Sequence, residues 1–374
     1  MNYLYIANYD SKYYITGKVL QLSRLLDIID GKATDDNYHL FRFYTKTNKE
    51  KQLFFDVFKS FLVNKKRHEP NHQSVLWLVD SPRMTHLIVN EMVEAELLGY
   101  DNILVMCDHN VDASFFRDVQ DVSLIIRQLQ ELIKNHKCAA LLTPCINKVH
   151  NKILPSLQIK KIGIQHGFGT WIEKKMLGSV DIHFNFGEIS HNEFNNPKSF
   201  IAGYSPTKLF GLYPKADEQY ILYLTQGAAF TNKKNIIDQL GLLRLQTDTG
   251  LSLIIKEHND AKDEFKGLPI KAVYNEPEAN TVELIRKASL IVTSWSGAGV
   301  EALFFNKPTI ILDTQNDDGK FYKDSGLVIP MRYDILKTRV LELLNGKSID
   351  TVAFKQKINY KTGTSASEII LKAI

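Results

Sequence analysis

The chain has 374 residues, a formal charge of +4, 44% hydrophobic residues and 24% charged ones. That length is too great for one ordinary core and predicts two domains, and the composition is that of a globular protein. The weak positive charge carries no nucleic-acid signature, and no zinc-finger or RNA-binding aromatic motif accompanies it.

In chain order, Met1-Asn-Tyr-Leu-Tyr-Ile-Ala is too short for a secretory leader, and its Tyr3-Leu-Tyr-Ile-Ala reads as a strand. Residues 19–29 have helical apolar spacing and end at Asp30-Gly31. Residues 53–63 form an aromatic helical pattern followed by Lys65-Lys-Arg-His68. That segment is expected to pack on the domain; the competing reading lays it on an anionic membrane surface.

From Ser74 an alternation sets in. Strands are expected over residues 75–79, 103–107, 139–142 and 161–164, and helices over 85–98 and 122–135. After the turn-rich segment 204–217 a second alternation follows. Its strands fall at residues 220–224, 251–255, 272–274, 290–292 and 310–312, and its helices at 235–244, 280–287, 333–345 and 365–373. Strand and helix in alternation imply parallel sheets covered on both faces. The expected domains are 1–203, with 1–73 atypical, a linker at 204–217, and 218–374, whose last helix can return to the first domain. Two doubly wound domains in succession would leave a cleft at the carboxyl ends of their strands, where ligands bind.

Three cysteines, Cys107, Cys138 and Cys145, have no metal or disulfide spacing and read as buried free thiols, which points to a reducing compartment. No apolar run reaches the roughly 20 residues that cross a bilayer, so a cytoplasmic protein is expected, with peripheral attachment to the inner membrane face left open. There is no Walker-type Gly-Lys-Ser/Thr sequence and no Gly-x-Ser-x-Gly elbow. His183 and His191 lack ligand spacing, and the acidic run from Asp313 to Asp318 reads as a polar strand-to-helix loop rather than a metal loop.

Chemistry-bearing residues cluster after strands. Gln165-His-Gly-Phe-Gly-Thr-Trp171 follows residues 161–164 and puts His166 in a glycine-flanked loop, placed to act as a general base. Gln165, Gly167 and Trp171 are its acceptor-side neighbours. Lys256-Glu-His258 follows residues 251–255, where His258 would donate to a phosphate and Lys256 would add charge, unless it is simply a solvated strand-end lysine. Thr293-Ser-Trp-Ser-Gly-Ala-Gly-Val-Glu301 joins a strand to a helix, a bend whose unpaired N–H groups suit a nucleotide diphosphate. Ser294, Ser296, Gly297 and Gly299 would line it, with Glu301 reaching ribose hydroxyls. The glycines equally suit close helix–strand packing, and Glu301 equally suits a solvated helix face.

The order Gln165-His-Gly, Lys256-x-His258 and Thr293-Ser-Trp-Ser-Gly to Asn306-Lys-Pro308 resembles the CDP-glycerol and CDP-ribitol phosphotransferases that build teichoic-acid and capsule polymers. The resemblance spans about residues 160–325 and leaves out 1–73. It implies a GT-B fold of two Rossmann-like domains, a nucleotide-activated donor, and a glycan or polyol-phosphate polymer acceptor, lipid-linked in some cases. It implies His166 as base, His258 as phosphate ligand, and no metal or other cofactor. Gln165 stands where the family has Trp, Phe168-Gly where it has Thr-Pro, Asn259 where it has Pro, Ser294 where it has Asp, and Gly297 where it has a second Ser. These departures leave the transferred group open. The Ser-Gly-Ala-Gly-x-Glu form also resembles UDP-sugar glycosyltransferases, and His-plus-Ser sites resemble CMP-sugar transferases. A UDP-sugar 2-epimerase and a noncatalytic glycan- or nucleotide-binding subunit complete the alternatives.

Overall fold

The structure is a computed structural model that describes residues 3–9, 12–21, 72–79, 85–107, 119–144, 148–165, 167, 178–194, 196–204, 218–225, 241–258, 265, 267–274, 281–294, 296–313, 322–323, 325–359 and 364–374. The chain forms two compact units, Met1–Leu209 with Ile358–Ile374, and Phe210–Lys357.

In the first unit the described strands are β1 (Tyr3–Tyr9), β2 (Lys12–Gln21), β3 (Ser74–Val79), β4 (Asp101–Cys107), β5 (Cys138–Thr143), β6 (Lys160–Ile164), β7 (Ile182–Asn185) and β8 (Ser199–Ile201). They make one sheet in the order β1-β2-β4-β3-β5-β6-β7-β8. From β4 to β8 every pairing is parallel. β1 and β2 form an antiparallel hairpin that joins the sheet through β4. Residues 19–21, read from sequence as the start of a helix, are the end of β2, with Leu20 and Gln21 paired to Leu104 and Ile103. The β-branched and aromatic run Tyr13-Tyr-Ile-Thr16 favours extension, and cross-strand pairing overrides the helical spacing that follows.

α1 (Thr85–Leu97) and α2 (Val119–Asn135) lie between successive strands of the parallel part. α2 buries Ile125 and Leu129, four residues apart on one face, and exposes Ser123, Arg127, Glu131 and Lys134 on the other. The short α3 (Lys148–Ile153) and α4 (Glu188–Phe194) follow β5 and β7. β3 is buried along its whole length, as a central parallel strand must be.

The second unit is a six-stranded, wholly parallel sheet of β9 (Tyr220–Leu224), β10 (Ser252–Lys256), β11 (Ala272–Tyr274), β12 (Leu290–Thr293), β13 (Thr309–Asp313) and β14 (Val328–Pro330), in the order β11-β10-β9-β12-β13-β14. α5 (Leu242–Thr249), α6 (Thr281–Lys287), α7 (Gly297–Phe304) and α8 (Tyr333–Leu344) connect and cover these strands. Its core includes Tyr223, Leu245, Leu253, Val292 and Leu336. Of the helix expected over 235–244, residues 235–240 lie outside the described residues; its last three residues fall in α5, which runs from Leu242 to Thr249. Gly241 at φ +53° starts it, because an added Cβ there would meet Arg244 and Tyr333 at 3.2 Å, and Gly250 at φ +70° ends it. The expected pair of consecutive doubly wound α/β units is present.

α9 (Val352–Ile358) precedes α10 (Thr364–Leu371), which packs on α1, where Ser367 Oγ lies 3.5 Å from the buried Glu91 carboxylate. Among the described residues no helix is long and apolar enough to cross a membrane. Residues 53–68 lie outside the described residues.

Candidate functional site at the strand ends

In the second unit the chain runs from β9 outward through β10 to β11, then returns to build β12, β13 and β14 on the other side. The order therefore reverses between β9 and β12, and ligands of such sheets bind outside the carboxyl ends of the strands at that point. Leu224 on β9 is in register with Lys256 on one side and Thr293 on the other. Thr225, Glu257-His258 and Ser294 are the residues that leave these three neighbouring strands.

Thr293 ties the end of β12 to β9, its Oγ1 donating to the Leu224 carbonyl at 3.0 Å. Ser294 follows with 0% exposure, and its Oγ has no hydrogen-bond partner among the described residues. An unsatisfied buried hydroxyl costs about 1–3 kcal/mol, and such exceptions mark functional sites often enough to single it out. Ser296 caps α7, its Oγ accepting from the Ala298 N–H at 3.2 Å, and Gly297 is exposed at the positive end of that helix. The Ser296 carbonyl is braced by the buried Tyr322 hydroxyl, which donates to it at 2.8 Å.

The two glycines of the bend differ. A Cβ on Gly299 would stand 2.6 Å from the Thr293 side chain, so Gly299 allows α7 to lie close on β12. Gly297 is exposed. Glu301 is half-buried. Burial holds the Tyr322 phenol well above its ordinary pKa, and the Glu301 charge adds to that effect.

At the end of β10, Lys256 is not a solvated strand-end residue: it is buried, and its ammonium donates to the Glu257 carbonyl at 2.9 Å. A buried charge must find such partners. Glu257 is buried too, its Oε1 accepting from the Phe265 N–H at 2.6 Å. His258 is exposed, and its backbone N–H donates to Thr225 Oγ1 at 2.8 Å. Thr225 and Tyr322 were not singled out from sequence. A threonine directly after the strand at 220–224 was the available signal for the first. Tyr322 follows an acidic loop and carries no periodic signal.

In the first unit, His166 and Trp171 lie outside the described residues, as does Trp295 in the second. Gln165 is fully buried at the end of β6. Its Nε2 donates to the Gly167 carbonyl at 2.5 Å and to Ser190 Oγ at 2.9 Å, and its Oε1 accepts from the Phe186 N–H at 2.8 Å. The amide expected on the acceptor side is thus turned inward as a brace. A Cβ added at Gly167 would meet nothing within 4 Å among the described residues. His183 packs over Gly163, and His191 Nδ1 lies 3.4 Å from Ser199 Oγ, so both serve the sheet.

Lys256, His258, Ser294, Ser296, Gly297, Gly299 and Glu301 all belong to the second unit, and the strand order gathers the first three at the carboxyl ends of its central strands. Gln165 and Gly167 belong to the first unit.

No protein-family model matches the chain, and no curated protein sequence matches it either. Solved structures do. A UDP-GlcNAc 2-epimerase from Methanocaldococcus jannaschii is similar with a TM-score of 0.61 at 15% identity, covering 80% of this chain and 99% of its own. A UDP-GlcNAc 2-epimerase from Neisseria meningitidis, solved bound to UDP-GlcNAc, gives 0.59 at 14% identity, with 80% and 99% coverage. The glycosyltransferase SnogD from Streptomyces nogalater gives 0.55 at 10% identity, with 82% and 100% coverage.

Proposed function

With two doubly wound units of the GT-B type as the premise, we propose that the protein is a transferase of cell-surface polymer synthesis. It would move a polyol-phosphate or a sugar from a nucleotide-activated donor to an acceptor hydroxyl. The observation that carries this reading is the buried, unpartnered Ser294 hydroxyl at the β9/β12 switch point, two residues before the Ser296 cap of α7. Donor phosphates would rest there, with His258 donating to them and Glu301 reaching the ribose. His166 would take the acceptor proton as the acceptor oxygen attacks the donor's phosphorus or anomeric carbon. The nucleotide phosphate leaves with the bonding pair, its charge met by helix N–H groups, hydroxyls and His258. The mechanism invokes no metal.

The test is nucleotide release from CDP-glycerol, CDP-ribitol, CMP-sialic acid and UDP-GlcNAc, each with and without glycan and polyol-phosphate acceptors. Acceptor-dependent release is expected for one nucleotide class, and H166A should slow it by about 10²–10⁴. Release unaffected by H166A removes the base from the scheme.

The second reading is a UDP-sugar 2-epimerase, and the similarity to two such enzymes favours it. Conversion of UDP-GlcNAc to its C2 epimer without any acceptor would decide for it.

A further inference from the structure

We propose that Thr225 and Lys256 are positioning residues that clamp the Glu257–His258 peptide and so present the His258 imidazole to the donor's phosphates. The proposal rests on the reading of His258 as a phosphate ligand. One peptide unit joins Glu257 to His258, with one carbonyl and one N–H. The carbonyl accepts from Lys256 Nζ at 2.9 Å, and the N–H donates to Thr225 Oγ1 at 2.8 Å. Both polar ends of one peptide plane are therefore held by side chains.

The surroundings extend the clamp. The sheet ladder ends one step earlier, where the Glu257 N–H donates to the Tyr274 carbonyl at 2.9 Å. The Thr225 N–H returns to the Lys256 carbonyl at 3.1 Å, so the two clamping residues also hold each other. The Glu257 carboxylate draws the segment at Phe265 back to the same place. Thr225 and Lys256 are each 5% exposed, so water competes little for these bonds, while His258 itself is exposed. An exposed ring on an anchored backbone loses little freedom when it meets an anion, which is how preorganisation gains affinity. The chemistry also explains the residue types. Valine would fill the place of Thr225 but leave the His258 N–H without its acceptor, and methionine would fill the place of Lys256 but leave the Glu257 carbonyl without its donor.

The experiment measures UDP and CDP binding to the full chain by calorimetry, with thermal unfolding recorded for every variant. H258A is expected to weaken the nucleotide bound by wild type about tenfold or more, as loss of a hydrogen bond to a charged group does. T225V is expected to weaken it by about half that effect on a logarithmic scale or more. T225S, which keeps the acceptor, retains wild-type affinity, and K256M behaves like T225V. In the H258A background T225V should cost nothing further, because its effect passes through His258. Equal loss on adding T225V to H258A would show that Thr225 acts elsewhere and overturn the proposal. So would wild-type affinity in a folded T225V protein. If H258A binds as wild type does, or wild type binds neither nucleotide, the phosphate-ligand reading fails first and the clamp falls with it.

Discussion

β6 in the first unit and β12 in the second are each followed directly by a fully buried polar side chain, yet the bonding of the two differs. Gln165 satisfies its amide three times over, with Gly167, Ser190 and Phe186. Ser294 satisfies its hydroxyl with none of the described residues. Ser294 also flanks the point where strand order reverses, whereas Gln165 follows a strand with sequential neighbours on both sides, β5 and β7. A buried polar group that spends its bonds on the protein is a brace, and one left unspent at a switch point is available to a ligand.

The comparison breaks most readily at Gln165. Q165A strands three polar groups in the core and is expected to destabilise the protein by about 3 kcal/mol in chemical denaturation. A variant as stable as wild type would mean the amide braces nothing. The glycines give the next contrast. G299A forces a methyl against Thr293 and should cost about 1–3 kcal/mol, whereas G167A should stay within about 0.5 kcal/mol, both read from denaturant midpoints. S294A should leave stability unchanged or raise it by up to about 1 kcal/mol while weakening UDP or CDP binding about tenfold. Destabilisation without a binding defect would make Ser294 a second brace.

Alkaline pH sharpens the picture at Tyr322, which holds the bend through Ser296. Its folded pKa is raised, so its contribution is fully present below the ordinary tyrosine value near 10 and is lost as pH rises from there. The unfolding temperature should fall above pH 10, and less steeply in Y322F. The smallest effect is at Cys138, whose thiol burial pushes up to about 12. Alkylation at pH 8 should be slow in the native protein and fast after denaturation.

Much of the fold was readable because parallel strands buried on both faces are continuous apolar runs, as at 75–79 and 220–224. β1 was readable too, but β2 and the start of α5 were not, since pairing partners and left-handed glycines decide them. At the candidate site, Lys256, His258, Ser294 and Ser296 could be singled out because each lies at or just after the end of an apolar run that forms a strand. The direction each side chain takes could not be.

The amino-acid order alone determined that strands and helices alternate twice, and that polar residues follow the strands in both halves. That information is local, carried by apolar runs and turn formers. Only the tertiary structure decided that β9 and β12 are neighbours, that Lys256 and Gln165 turn inward, and that Thr225 holds the peptide before His258. Those facts depend on which strands lie side by side, and hydrogen bonds between residues far apart in the chain are fixed by that adjacency rather than by any local pattern.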